Sequence, residues 1–153
     1  MYVLYTDDSI LEGPDKDEID QCIKDIQDAE LDITIKGNLQ DFLGVNINRK
    51  EDGTVHLTQP HLIDQILKDL KMDQDKVQGK DILASSSNIL LRHLDSEDFD
   101  KSFHYHLVIG KLNYLKKGSR SDIVYITNQC ARFAEDPKVK HTKGIRWLAG
   151  YLK

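Results

Sequence analysis

The ten residues Tyr2-Val3-Leu4-Tyr5-Thr6-Asp7-Asp8-Ser9-Ile10-Leu11 place two adjacent carboxylates between two apolar runs. The first run, residues 2–5, predicts a strand, and residues 9–11 can return antiparallel to it if the three residues between them form the bend. A two-stranded turn keeps both carboxylates out of an apolar interior. The stretch therefore predicts a tight hairpin with Asp7 and Asp8 at its exposed tip.

A helix and a second hairpin are predicted downstream of this stretch. Asp15 is a typical helix N-cap, and a helix to about residue 30 is indicated by four apolar residues at helical spacing, Ile19, Cys22, Ile23 and Ile26. Residues 42–48 alternate at strand period, and Asp52-Gly53 is a turn signal that leads into residues 54–57. We therefore expect two hairpins with a helix between them.

The remainder of the chain is predicted to be helical. Pro60 suits a first helical turn, and one apolar stripe runs from it to Met72 through Leu62, Ile63, Ile66, Leu67 and Leu70. Residues 73–94 show no sustained period, which indicates a linker and a subdomain boundary near residues 80–94. Three further helices are predicted beyond it. The first has an acidic first turn, in residues 95–100, and is marked by Phe99, Phe103, Leu107, Gly110 and Tyr114.

The composition is that of a soluble globular segment. Of the 153 residues, 39% are apolar and 31% are charged, and no apolar run approaches the roughly 20 residues that a membrane-spanning helix needs. Cys22 and Cys130 follow no metal-binding pattern, so we expect two buried free thiols.

Residues 1–110 carry a net charge of −12 and residues 111–153 carry +7. The basic part fits either a phosphate-backbone contact or a solvated lysine face.

The chemistry of the chain is concentrated in the carboxylate pair. Two adjacent carboxylates repel each other unless a cation neutralises them, and Mg²⁺ prefers a few carboxylates together with substrate phosphate oxygens. Two such ions about 3.5–4 Å apart activate a primer hydroxyl and hold the leaving pyrophosphate, which requires a further carboxylate from elsewhere. The alternative is that Asp7 and Asp8 are simply turn-forming residues.

The surrounding motifs extend this pattern to a known family. Tyr5-Thr6-Asp7-Asp8 resembles the Tyr-x-Asp-Asp hairpin of reverse transcriptases, and the rest of the chain resembles the copia-type polyproteins of long-terminal-repeat retrotransposons. The similar segments follow in order along nearly the whole chain: residues 39–47 with Phe42-Leu43-Gly44, residues 57–67 with Gln59-Pro60, residues 109–115, Arg120-Ser121-Asp122-Ile123, Arg132-Phe133, His141 and residues 148–152. Several spaced motifs in order are more specific than any one of them.

This resemblance implies an α+β fold with three regions. Residues 1–58 form a partial polymerase palm with two β-hairpins and a helix, residues 59–94 a thumb helix and linker, and residues 95–153 a helical thumb and connection region. The chain is then the second half of a polymerase, with the fingers and another palm aspartate upstream and an RNase H domain after Lys153. Three residues depart from the family pattern, in which Tyr is usual at His61, Pro at Ser121 and often Lys at Thr34.

The resemblance also implies the roles of the hairpin residues. Asp7 is a catalytic metal ligand and Asp8 is its weaker second, while Tyr5 and Thr6 lie beside the incoming nucleotide and the primer end. The cofactor is Mg²⁺ or Mn²⁺, bound weakly by the isolated chain. Lys36 is a candidate for assisting the pyrophosphate, but a solvated lysine at a strand end explains it better, so it stays outside the catalytic set.

A second implied site is the primer grip, formed by Phe42, Leu43 and Gly44, where glycine admits a close backbone approach. The partners are an RNA or DNA template-primer and a dNTP, with no membrane, and the location is the cytoplasm or a virus-like particle.

The expected parent reaction is RNA-directed DNA polymerisation, a metal-dependent nucleotidyl transfer. We expect the isolated chain to be inactive because the upstream palm carboxylate is missing. The alternative is a domesticated or decayed element product that acts as a nucleic-acid-binding or protein-interaction module. A third possibility, an unrelated acidic metal-binding domain, treats the ordered motifs as chance.

Overall fold

The chain folds into two units, Met1–Leu43 and Gly44–Lys153. The computed structural model describes residues 1–6, 8–37, 39–73, 79–83 and 96–153. Both helices and small antiparallel sheets are present, so the predicted α+β class is confirmed. Within the described ranges, no helix combines the length and the apolar character needed to cross a membrane.

The first unit opens with the predicted hairpin. Strands β1 (Tyr2–Tyr5) and β2 (Asp8–Leu11) pair antiparallel, and Tyr5 lies opposite Asp8. The second strand therefore begins one residue earlier than expected, and Asp8 belongs to the strand rather than to the bend. Asp7 lies outside the described residues.

A helix and a short strand complete the first unit. Helix α1 (Lys16–Asp28) begins where predicted, because the Asp15 carboxylate accepts a hydrogen bond of 2.8 Å from the Asp17 N–H, as an N-cap side chain does. Strand β3 (Asp41–Phe42) lies at the end of the unit. None of the described residues of this unit is buried.

The second unit begins with the other predicted hairpin. Strands β4 (Val45–Arg49) and β5 (Val55–Thr58) pair antiparallel. Gly53 takes a φ of 84° in the turn, a conformation that glycine adopts without steric cost. The Asp52 carboxylate accepts a hydrogen bond of 2.9 Å from the Thr54 N–H, and this bond lowers the pKa of Asp52.

Helices enclose the core of the second unit: α2 (Pro60–Asp69), α3 (Tyr105–Gly118), a 3₁₀ turn (Ser121–Ile123), α4 (Val124–Ala131) and α5 (Val139–Leu152). Helix α3 packs against α2 and α4, and α5 packs against the same two helices. The core is formed by large aliphatic side chains with no solvent exposure, including Ile66, Leu70, Val108, Leu112, Leu115, Ile123, Ile145 and Leu148. Each such side chain contributes about 1.5–3 kcal/mol on burial.

Helix α3 buries a different face from the one that the sequence pattern marked. Its core-facing residues are Tyr105, Val108, Ile109, Leu112 and Leu115, whereas Leu107, Gly110 and Tyr114 are exposed. The helix is apolar on more than one side, so packing against its neighbours selects the buried face. The acidic residues 95–100 precede α3 and do not form its first turn, because the helix begins only at Tyr105.

Part of the predicted linker is attached to the last helix. The Lys80 N–H donates to the Gly150 carbonyl at 2.9 Å, and the Trp147 indole N–H donates to the Ile82 carbonyl at 3.1 Å. These bonds hold residues 79–83 against α5. Residues 74–78 and 84–95 of the predicted linker lie outside the described residues.

Candidate active site

The head of the first hairpin places aromatic, hydroxyl and carboxylate groups together. Tyr5 and Asp8 face each other across the strands, so only two residues separate them along the chain. Two-residue loops are the shortest common hairpin connections, and they demand unusual backbone angles. Tyr5 is 59% exposed and Thr6 is also exposed, so neither is enclosed by the described chain.

The loop residue Thr6 adopts one of these unusual conformations. Its φ is 53°, in the left-handed region where glycine and asparagine are the usual residues. A β-branched residue held there costs on the order of 1–3 kcal/mol, and such residues cluster at functional sites. A two-residue hairpin turn itself requires such an angle, and four other non-glycine residues of the described chain also have a positive φ, so the angle agrees with a turn and leaves the functional role a prediction.

The carboxylate of Asp8 has a cationic neighbour. The Lys36 ammonium lies 3.8 Å from Asp8 Oδ1, and the two side chains are 75% and 46% exposed. An exposed pair of this kind contributes little to stability, about 0–1 kcal/mol. The structure thus places Lys36, which the sequence analysis left outside the catalytic set, beside the candidate metal ligand.

Hard carboxylate oxygens at the hairpin head are the donors that Mg²⁺ or Mn²⁺ prefers. Asp8 is partly exposed, and its role as a metal ligand stays a prediction. Among the described residues there is no group of three or more His, Cys, Asp or Glu side chains arranged to hold a metal ion. Because Asp7 is not described, the geometry of the pair stays a prediction.

The predicted primer-grip residues are consecutive in the chain, with Phe42 and Leu43 at the end of the first unit and Gly44 at the start of the second. Phe42 and Leu43 are half-buried, and Leu43 and Gly44 have φ angles of 51° and 73°. A Cβ placed on Gly44 would meet no atom within 4 Å. Within this chain the glycine therefore serves the backbone angle, and the approach of a primer strand stays a prediction.

The acidic stretch before α3 has structural partners instead of an ion. The Asp98 carboxylate accepts a hydrogen bond of 2.6 Å from the Lys138 ammonium, which lowers the pKa of Asp98. Asp100 accepts a bond of 3.0 Å from the Ser102 N–H, and its pKa is lowered for that reason.

Arg120 and Asp122, which belong to one of the ordered motifs, form a bidentate pair with bonds of 2.9 and 2.7 Å. The Tyr151 hydroxyl donates to the same carboxylate at 3.0 Å, so the pair connects the turn before α4 to the end of α5. These bonds assign a structural role to this motif.

Two curated proteins are similar to the chain over nearly all of its length. The "Retrovirus-related Pol polyprotein from transposon TNT 1-94" of Nicotiana tabacum is 25% identical over 155 residues, which cover 99% of this chain and 12% of that polyprotein. The "Putative transposon Ty5-1 protein" of Saccharomyces cerevisiae is 22% identical over 149 residues, which cover 97% of this chain and 47% of that protein.

The chain thus spans less than half of the length of either relative. No family model and no solved structure matches it. The homologues of this chain are transposon polyproteins, which supports its derivation from a retrotransposon.

Proposed function

We propose that this chain is the segment of a copia-type reverse transcriptase that carries the metal-binding hairpin, the primer grip, the thumb and the connection region. The observation that carries the proposal is the first hairpin, in which Tyr5 and Asp8 face each other across the two strands. The similarity to transposon polyproteins supports it independently. The parent reaction is RNA-directed DNA polymerisation on a template-primer with dNTPs, in the cytoplasm or in a virus-like particle.

In this proposal Asp7 and Asp8 hold Mg²⁺ or Mn²⁺ through their carboxylate oxygens. The bound metal supplies charge neutralisation at the primer hydroxyl and the triphosphate. Tyr5 and Thr6 border the incoming nucleotide and the primer end, and Phe42 to Gly44 position the primer strand. Lys36 balances the charge of Asp8 while no metal is bound, and a metal ion at Asp8 competes with it.

Strand β1 exposes apolar side chains on both faces, which supports the proposal that the hairpin belongs to a larger sheet. Tyr2 and Leu4 project from one face and Val3 from the other, with exposures of 54%, 62% and 38%. A strand that is apolar on both faces is typical of the interior of a covered sheet. Polymerisation also needs a carboxylate on another strand, so we assign the missing cover and the missing ligand to the same upstream palm segment.

A chimaera tests the proposal. The matched segment of the tobacco polyprotein is replaced by this chain, and primer extension is measured beside the unmodified tobacco protein. We expect extension by the chimaera and none by the 153-residue chain alone. Asp8→Asn should lower the rate about a thousandfold, or about 4 kcal/mol of transition-state stabilisation, and Asp7→Asn should lower it at least as much.

The matched control is Asp52→Asn, an exposed carboxylate at the tip of the other hairpin. It should leave extension within about twofold of the unsubstituted chimaera, since a surface change costs little. Extension that survives both hairpin substitutions contradicts the proposal. An inactive chimaera beside an active tobacco protein favours the decayed-element alternative.

A further inference from the structure

His141 belongs to the ordered motifs of the sequence, and the proposed function leaves it without a role. It lies in the first turn of α5 and is only 1% exposed. Its ring stacks on Phe133, with 4.0 Å between the ring centres and 13° between the ring planes. A buried, stacked imidazole is costly to ionise, because burial disfavours the charged form.

A hydrogen bond fixes the protonation state of this ring. The Lys138 N–H, at the N-cap of α5, donates to His141 Nδ1 at 3.0 Å. Because Nδ1 accepts this bond, the neutral ring carries its proton on Nε2. A charged ring carries a proton on Nδ1 as well, and that proton would point at the Lys138 N–H, which is itself a donor. Protonation of His141 therefore breaks the cap of α5.

The capped turn also holds the stretch of chain that precedes α3. The Val139 N–H donates to the Glu97 carbonyl at 3.1 Å, and the Lys138 ammonium lies 2.6 Å from the Asp98 carboxylate. Asp98 and Lys138 form a β-bridge as well. These contacts begin at the residue whose N–H is held by His141, so a change at this ring reaches both segments.

The charged groups around this turn do not favour an imidazolium. The Lys138 ammonium engages the two nearby acids, Asp98 and Asp136, at 2.6 and 3.1 Å. From the end of α4, the Arg132 guanidinium lies 5.6 Å from the centre of the Phe133 ring. The other charged residues of these segments are exposed: Glu97, Glu135, Lys140 and Lys143. The cations oppose a further positive charge, and the paired acids are already engaged.

We infer that His141 is an acid-sensitive latch, whose protonation releases the start of α5 together with the stretch before α3. Opening exposes the ring, and an exposed histidine has a pKa of about 6.5. The latched ring takes up a proton only by losing its bond to Lys138, so acid favours the opened state. The latch is therefore closed above about pH 6.5 and is progressively weakened as the pH falls below that value.

The latch goes beyond the proposed function, since it needs neither a metal ion nor a nucleic acid. It is a property of the second unit alone, and it acts at a pH well above the range in which carboxylates are protonated.

Hydrogen exchange of the whole 153-residue chain, measured at about pH 7 and about pH 5, tests the latch. Uptake of one proton with a pKa of about 6.5 should raise the opening constant about 25-fold over this interval. The protection of the Lys138 and Val139 amides, corrected for intrinsic exchange, should fall by that factor. His141→Gln keeps an oxygen that accepts the N-cap N–H but cannot take up a proton, so its loss of protection should be less than about threefold.

The matched control is His106→Gln, which removes an exposed histidine from α3 and should keep the full pH dependence. If His141→Gln does not fold, NMR titration of the unsubstituted chain decides. At about pH 5.5 the His141 Nδ1 should still be unprotonated in the folded chain, while exposed histidines are protonated. The latch is overturned if the His141 ring takes up a proton near pH 6.5 in the folded chain. It is also overturned if the two amides are equally protected at both pH values, or if His141→Gln keeps the pH dependence of the control.

Discussion

The two units of the chain differ in net charge and in how much apolar surface they bury. The first unit carries 3 lysines against 12 acidic residues, a net charge of −9, and buries none of its described residues. The second unit carries 18 basic and 14 acidic residues, a net charge of +4, and encloses a continuous helical core. The catalytic candidates and the hydrophobic core therefore belong to different parts of the molecule.

This difference indicates which unit is stabilised by its own packed interior. A lone two-stranded hairpin is marginally stable in water, and three or more strands or a covering helix are normally needed. The first unit has secondary structure that local signals specify, but its apolar residues stay half-exposed. The second unit has the packed interior that supports independent folding.

The largest expected difference between the units is in the alkylation rates of their cysteines, because each unit contains one cysteine. Cys130 is fully buried, and burial raises its pKa to about 12, whereas Cys22 is half-exposed. At about pH 8, alkylation of Cys130 should be at least about a thousandfold slower than that of Cys22, since it requires both opening and thiolate formation. Mass spectrometry of timed samples measures both rates.

The control for the labelling is the chain in denaturant, where both thiols should react at similar rates. Equal rates in native buffer would show that the second unit opens as readily as the first, and the comparison would fail.

The next largest difference is expected in the free energy of unfolding when an apolar side chain is shortened in each unit. Leu112→Ala, at a fully buried position, should lower the free energy of unfolding by about 2–5 kcal/mol because it leaves a cavity. Leu4→Ala, at a position that is 62% exposed, should change it by less than about 0.5 kcal/mol. Urea unfolding followed by circular dichroism measures both, and similar losses for the two variants would contradict the assignment of the core.

Two glycines of α3 provide a sharper test inside the second unit. A Cβ on Gly118 would lie 2.4 Å from Gln59 Oε1, so Gly118→Ala should destabilise the chain by about 1–3 kcal/mol. Gly110 faces open space, so Gly110→Ala should stabilise it by about 0.5–1 kcal/mol. Thermal unfolding compares the two. In a Gln59→Ala background the cost at Gly118 should shrink, and a cost that persists would place the clash elsewhere.

The smallest effect concerns the acid stability of the second unit. Arg120 lowers the pKa of Asp122 through its hydrogen bonds, so the ionised carboxylate is favoured in the folded state. Its contribution is present above the unfolded-state pKa of about 3.9 and is lost as the pH falls through the lower folded-state value. Because Asp122 is 42% exposed, Asp122→Asn should cost no more than about 1 kcal/mol near neutral pH.

Unfolding experiments at neutral pH and at about pH 2 measure this difference, which should disappear in acid. A cost that is equally large at both values would mean that packing, and not charge, holds the pair.

Local features were predictable because their causes are local. The Asp15 cap starts α1, and the Asp52-Gly53 turn closes the second hairpin through a side-chain bond and a positive φ. The hairpin at β1 and β2 follows from the same kind of signal. The candidate residues Tyr5, Thr6 and Asp8 were identified by their order along the chain, and the fold places them at one hairpin head.

Features that depend on distant residues were not predictable. The resemblance made Lys36 a candidate for this site, but its distance from Asp8 depends on how the chain returns to the hairpin, and no spacing rule encodes it. Gln59 appeared only as part of a motif, but in the fold it is a buried connection between β5 and α3. Of the ten cations in the basic stretch, the fold pairs Lys111, Arg120 and Lys138 with carboxylates, and no pattern in the sequence distinguishes these three from the rest.

The sequence by itself determined the class of the fold, the hairpins, the starts of the first two helices and the acidic hairpin head, because turn residues, caps and apolar periods act over a few residues. Tertiary structure alone decided which face of α3 is buried, since Leu107 and Leu112 are equally apolar and only neighbouring helices distinguish them. It also decided which charges are neutralised, because an ion pair depends on distance in space and not on order along the chain.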